Sequence, residues 1–143
     1  MLTNKHKLPV IVIVLSFVLT SCSFGPPASC GDNIGGTADT TKFDQYFTTM
    51  ALVNQDGETG SSGDNGMEFT AADILELRAD TLSDVDVRAC VQNFNGQPIA
   101  FDQTSQFTSG ASGVSLGSFE QGSYVIRVIV DDTLVKNFPF SIK

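Results

Sequence analysis

The chain has no tryptophan, only two tyrosines and a single histidine, His6. An imidazole base or histidine metal ligand can therefore come only from residue 6, and a stacking platform for a sugar ring has little to be built from. Basic residues are also few: eight lysines and arginines face 16 acids, a formal charge of −8. Such a surface repels polyanions, so nucleic acid and acidic lipid headgroups are not expected partners. Long apolar runs are missing apart from Leu8 to Leu19. As a helix that run spans about 18 Å, against roughly 30 Å of bilayer hydrocarbon, too short for an ordinary membrane-spanning anchor.

What is present at the amino terminus has three zones: Lys5 and Lys7, the apolar run, and small residues ending at Cys22. This order predicts a signal peptide over residues 1–21. Its removal takes away two lysines, the only histidine and no acid, leaving six basic residues against 16 acidic ones, a formal −10. The junction Leu19-Thr20-Ser21-Cys22 resembles the lipobox of bacterial lipoproteins. The resemblance implies that the Cys22 sulfur receives a diacylglycerol and that Cys22 becomes the new amino terminus, acylated on nitrogen as well. Two or three chains of palmitate type give stable anchoring, each buried methylene contributing about 0.8 kcal/mol. Ser23 is not the aspartate that resembles an inner-membrane retention signal, so outer-membrane delivery is expected in a cell with two membranes. The polar, Gly- and Pro-containing residues that follow predict a tether over 22–41, leaving 42–143 as one folded domain.

With Cys22 assigned to lipid, Cys30 and Cys90 remain, and in an oxidising envelope they are expected to form a disulfide. Val85, Val87, Ala89 and Val91 share one strand parity, which places Cys90 on the opposite, polar face. The bond is then expected outside the core, tying the tether to the outer surface of a sheet.

Short alternating runs between turn-formers predict an all-β fold, a single immunoglobulin-like β-sandwich of about seven strands. The runs are 43–53, 73–79, 84–92, 97–102, 114–119, 123–130 and 134–142. Residues 70–80 fit two descriptions: Thr70 and Asp73 resemble a helix start, while Leu75, Leu77 and Ala79 alternate with Glu76 and Arg78, which favours a strand. Tyr124, Ile126, Val128 and Val130 form one apolar stripe; Leu134, Phe138, Phe140 and Ile142 form another, interrupted by Lys136. Even numbering in both disfavours a two-residue hairpin at Asp131-Asp132 and favours a three-residue loop or a bulge, with Tyr124 opposite Phe140. Lys136 is expected to extend its ammonium into water, and Pro139 marks an edge strand or an outward-facing position. The stretch Gly117 to Val128 is similar to the closing hairpin of bacterial immunoglobulin-like and fibronectin-like modules, a resemblance that implies fold rather than function.

Reactive chemistry has little support. Asp56, Glu58, Asp64, Asn65 and Glu68 gather oxygen ligands in a Gly-rich loop over 54–68, and Asp131 and Asp132, with Asp102, offer more. A hard cation such as Ca²⁺ takes six to eight oxygens, but the spacing is not that of an EF-hand. No glycine-rich phosphate motif joins a strand to a helix, so no cofactor is expected, and no serine has an evident base. The reading that follows is a non-enzymatic, lipid-anchored envelope protein. It would reach the membrane through acyl chains on Cys22 and act on an envelope or surface protein as an accessory or assembly module. The alternative is a lipoprotein that holds calcium or a small solute in its loops.

Overall fold

The computed structural model describes residues 30–31, 36–94 and 99–143. Among them a helix, α1 (Thr40–Tyr46), precedes β1 (Phe47–Val53), β2 (Ser61–Gly63), β3 (Gly66–Phe69), β4 (Leu75–Thr81), β5 (Val85–Asn93), β6 (Ile99–Phe107), β7 (Gly110–Gly117), β8 (Gly122–Val130) and β9 (Thr133–Ile142). The strands form a three-stranded sheet, β1-β4-β7, and a six-stranded sheet, β2-β3-β9-β8-β5-β6. In the lettering of immunoglobulin domains these correspond to A-B-E facing C′-C-F-G, with β3 lying parallel on the last strand.

Alternation builds the core. Leu75, Leu77 and Ala79 point inward from β4, Val87, Ala89 and Val91 from β5, and Tyr124, Ile126, Val128 and Val130 from β8. Residues 75–81 are therefore strand. The helix-start signal before them is only a turn: Asp73 Oδ2 accepts from Thr70 N at 2.7 Å and Thr70 Oγ1 at 3.0 Å, and the chain then extends. Aromatic rings close one end of the core, where Tyr124 stacks on Phe140 at 5.3 Å and Phe119 meets Phe140 edge-on at 5.5 Å. The Tyr124 hydroxyl donates to Glu120 O at 2.9 Å, the tyrosine corner of immunoglobulin folds. Ile126, two residues on, is fully buried where antibody domains carry a cysteine of the inter-sheet bond.

Nine strands stand where about seven were expected, because the Gly- and Ser-rich loop over 54–68 holds the β2–β3 hairpin. Its Phe69 belongs to the core, and its β3 is fixed by parallel pairing with Phe140 to Ile142, a non-local partner without a local signal. Residues 43–46, read as strand, are helix: Asp39 Oδ1 accepts from Lys42 N at 2.9 Å and starts α1, which ends with Tyr46. β7 begins at Gly110, earlier than its apolar residues suggest. The stretch 117–128 is no hairpin, since β7 and β8 lie in different sheets.

The β8–β9 connection also differs. Asp131 and Asp132 have φ of 45° and 56° and form a two-residue turn of the type I′ class, pairing Val130 with Thr133. A bulge opposite Val128/Ile129 then restores the parity, so that Val135 enters the core in place of Leu134, Lys136 turns to solvent, and Tyr124 pairs with Phe140 as expected. The Lys136 ammonium rests 5.3 Å from the Phe43 ring centre. Among the described residues β9 is an edge as far as Pro139, where a missing donor costs no ladder bond; from Phe140 onward β3 covers it.

Two outcomes test these local assignments. Glycine tolerates the left-handed region that aspartate occupies at a cost, so Asp132→Gly should raise unfolding stability in urea by about 0.5–1 kcal/mol. An unchanged or lower midpoint would contradict the turn. The bonds from Thr70 hold the Asp73 carboxyl below its ordinary value of 3.8. That contribution is fully present above about pH 4 and disappears as pH falls through the depressed value. Asp73→Asn should accordingly flatten the acid limb of the stability profile and leave its slope near neutrality unchanged.

Candidate functional site

The two outer faces of the sandwich differ. On the six-stranded sheet, the odd residues of β8 and even residues of β5 point away from the core, yet Cys90, Gln92 and Arg127 are buried. Cys30 and Gly31 lie over them. Cys30 and Cys90 are joined, with Cα atoms 5.7 Å apart, so the bond lies on the sheet's outer face as the strand parity required. Around it, Cys30 N donates to Gln92 Oε1 at 3.3 Å and the Arg127 guanidinium to Gly31 O at 3.2 Å. Burial, and secondly the charge of nearby Arg88, lowers the Arg127 pKa from its usual value. Arg88 itself forms a two-pronged bond to Asp102, at 2.8 and 2.7 Å, along the open side of this face. Farther on, Asp39 N donates to Leu134 O at 2.9 Å and Lys42 pairs with Asp131 at 3.3 Å.

The outer face of the three-stranded sheet is open. Its central strand β4 presents Glu76, Arg78 and Asp80 in sequence, and the neighbouring positions on β7 are Ser115, Gly113 and Ala111. Ala51 of β1 stands across from Arg78 on the other side. Small residues on both flanks leave an open groove of about 500 Å³ over the charged row. Within it, Arg78 bonds Glu76 at 2.8–2.9 Å and Thr49 Oγ1 donates to Asp80 at 2.9 Å. Among the described residues no strand pairs with the far edge of β7, and Gly110 to Ser115 carry neither proline nor charge, the usual guards of a free edge. The other edge of this sheet, β1, is interrupted by a bulge between Phe47 and Thr49 and enters from α1.

The acidic candidates are distributed over separate parts of the sandwich. Asp56 and Glu58 lie in a turn organised by Asn54, whose Oδ1 accepts from both backbone N–H groups at 3.1 and 2.9 Å. That turn follows β1 at the end where Tyr124 and Phe140 lie. Asp131 and Asp132 occupy the opposite end, at the start of β9. Asp64 and Asn65 form the β2–β3 turn, beside Glu68, which pairs with Lys143 at 3.0 Å. Gly66 there lies against Pro139, six residues along β9 from Thr133, or about 20 Å. Among the described residues no three of His, Cys, Asp and Glu converge as a metal-ligand group. Cys22 lies outside the described residues, and no described helix is long and apolar enough to cross a membrane.

Parity placed Cys90 correctly from sequence. Arg127 and the β7 edge are not singled out by sequence: Arg127 stands at an ordinary polar position of an alternating strand, and Gly110 to Gly113 carry no apolar alternation. The one available signal was the spacing of Glu76, Arg78 and Asp80 at alternate positions.

Comparisons with models of known protein families and with curated protein sequences give no match. Among solved structures, the chain is similar to a selenomethionine-labelled β-glucosidase from Kluyveromyces marxianus, with 11% identity and a TM-score of 0.34 over 67% of this chain. The chain spans 14% of that enzyme's length, and a likeness this weak says nothing of its own activity.

The disulfide closes a loop with a sequence separation of 60, which stabilises the fold by about 4 kcal/mol when chain entropy alone is counted. Replacing both Cys30 and Cys90 by alanine should lower the urea-unfolding free energy by up to about that amount. Dithiothreitol should do the same to the native chain. A midpoint insensitive to both would show that the clip constrains nothing.

Proposed function

We propose that this chain is a lipid-anchored protein of the bacterial cell envelope that works by binding another envelope protein, without catalysis. The single observation that carries the contact role is β7, a free edge whose outward residues are small and whose neighbour β4 bears a legible charged row. The lipobox Leu19 to Cys22 supports the anchor, and Ser23 after it supports the outer membrane in a cell with two. The absence of histidine beyond residue 6 supports a non-enzymatic role.

Anchor and disulfide act together in this reading. From Cys22 to Cys30 is eight peptide units, at most about 29 Å of extended chain. Without the Cys30–Cys90 bond, the tie from Asp39 to Leu134 would allow seventeen units and about 60 Å. The bond therefore brings the leash onto the outer face of the six-stranded sheet. The shorter leash favours that face toward the bilayer and the three-stranded sheet away from it, toward partners.

Growth with an alkyne analogue of palmitate tests the anchor. The native chain should become labelled and sediment with membranes, whereas Cys22→Ser should be unlabelled and soluble after cell lysis. An unlabelled native chain released into the medium would contradict the proposal.

A further inference from the structure

We infer that the β7 edge receives an extended segment of a partner protein as an added strand, and that the partner's outward side chains read basic, acidic, basic. This rests on the contact role proposed above and names the surface and the chemistry of its occupant.

Three features lead to it. First, Gly110 to Ser115 pair with β4 in unbroken register and, among the described residues, have no strand on the other side, so a row of backbone donors and acceptors faces outward to bond an incoming strand. Second, β7 is low. A strand added to it lies two strand spacings from β4, about 9.6 Å, and ordinary side chains on β7 would screen one from the other. Gly113 has no side chain, Ala111 and Ser115 have the smallest, and so long side chains of an added strand reach across to β4. Third, the row they reach is patterned. Asp80 stands beyond Ala111, Arg78 beyond Gly113 and Glu76 beyond Ser115.

A basic residue over Ala111, an acid over Gly113 and a basic residue over Ser115 complement that row. The sequence of signs is the same read in either direction, so charge selects the partner's pattern while the backbone sets its polarity. Two bases to one acid also suit the protein's net charge of −8, which attracts basic segments from a distance. A second copy of this chain is the poorer occupant for the same reason. Gly113 is the key position: a Cβ there would meet Glu76 Oε1 at 2.7 Å, pushing a flexible acid aside and filling the groove.

The test uses the whole chain and three short peptides with alternating cores: Lys-Thr-Glu-Thr-Lys, the same composition reordered as Lys-Thr-Lys-Thr-Glu, and Lys-Thr-Lys-Thr-Lys. Amide shifts and hydrogen exchange report the site. The first peptide should bind with a dissociation constant below about 1 mM, protect amides of 110–115, and weaken in high salt. The reordered peptide should bind about tenfold more weakly, since two of its three charges oppose their neighbours. Gly113→Val, whose Cβ also presses Leu77 O at 3.2 Å, should lose the first peptide while remaining folded by its amide spectrum. Arg78→Glu should transfer preference to the all-basic peptide, a swap that a merely unfolded variant does not make. Equal affinity for the first two peptides, no binding at about 1 mM, or protection confined to β6 would overturn the inference. Protection at β6 would leave the contact role standing, whereas failure of the contact role is read separately, as the absence of any cross-linked envelope protein in intact cells.

Discussion

The disulfide between Cys30 and Cys90 makes the two faces of this sandwich unequal. A β-sandwich otherwise offers two wet outer faces, and strand parity alone assigns Cys90, Gln92 and Arg127 to one of them. The bond brings Cys30 and Gly31 down on that face, where an arginine and a glutamine are buried and each has a backbone partner. Arg127 illustrates the dependence: a buried guanidinium is tolerated only where hydrogen-bond acceptors replace water, and Gly31 O is held in reach by its covalently fixed neighbour. The cross-link thus covers part of one surface and fixes where the amino-terminal segment joins the sandwich.

The opposite sheet is built in another way. Its buried side follows ordinary alternation of Leu75, Leu77 and Ala79, and its exposed side is set by what β7 lacks. Glycine and serine contribute little to strand stability, since they pack little surface. β7 keeps its strand form because Val114 and Leu116 are buried in the core and β4 supplies its ladder. The result is an edge that is structurally supported and chemically unguarded. Most proteins blunt such an edge with a lysine or a proline, and here those residues lie elsewhere: Lys136 and Pro139 are both in β9, which is paired on both sides along its last residues.

Much of the fold was legible because two-residue periodicity is a local property. The stripes of β4, β5 and β8, the outward position of Cys90 and the facing of Tyr124 and Phe140 all follow from counting parity. What escaped was decided by partners distant in sequence or by backbone geometry. β3 exists because the end of β9 lies beside it. The bulge at Val135 rescued a two-residue turn that parity alone disfavoured, and its signal was hidden because Val135 and Leu134 are equally apolar. Helix α1 fully buries none of its residues; it leans only Phe43 and Tyr46 on the core, a stripe of two that the strand pattern running into β1 masks, and Asp39 accepting from Lys42 N is its other mark. For the candidate site, the charged alternation in β4 was visible in sequence, but its exposure depends on the small residues of β7, and that adjacency is a product of sheet order.

In the proposed function one face is turned toward the membrane and the other toward a protein partner. Photo-crosslinking in living cells measures this directly, with the reactive side chain placed in turn at Ala111 on the open sheet and at Thr104 on the β6 edge of the clipped sheet. A discrete cross-linked protein is expected from position 111 and none from 104. Cross-links from 104 alone, or from neither position in cells where the chain is fully acylated, would contradict it.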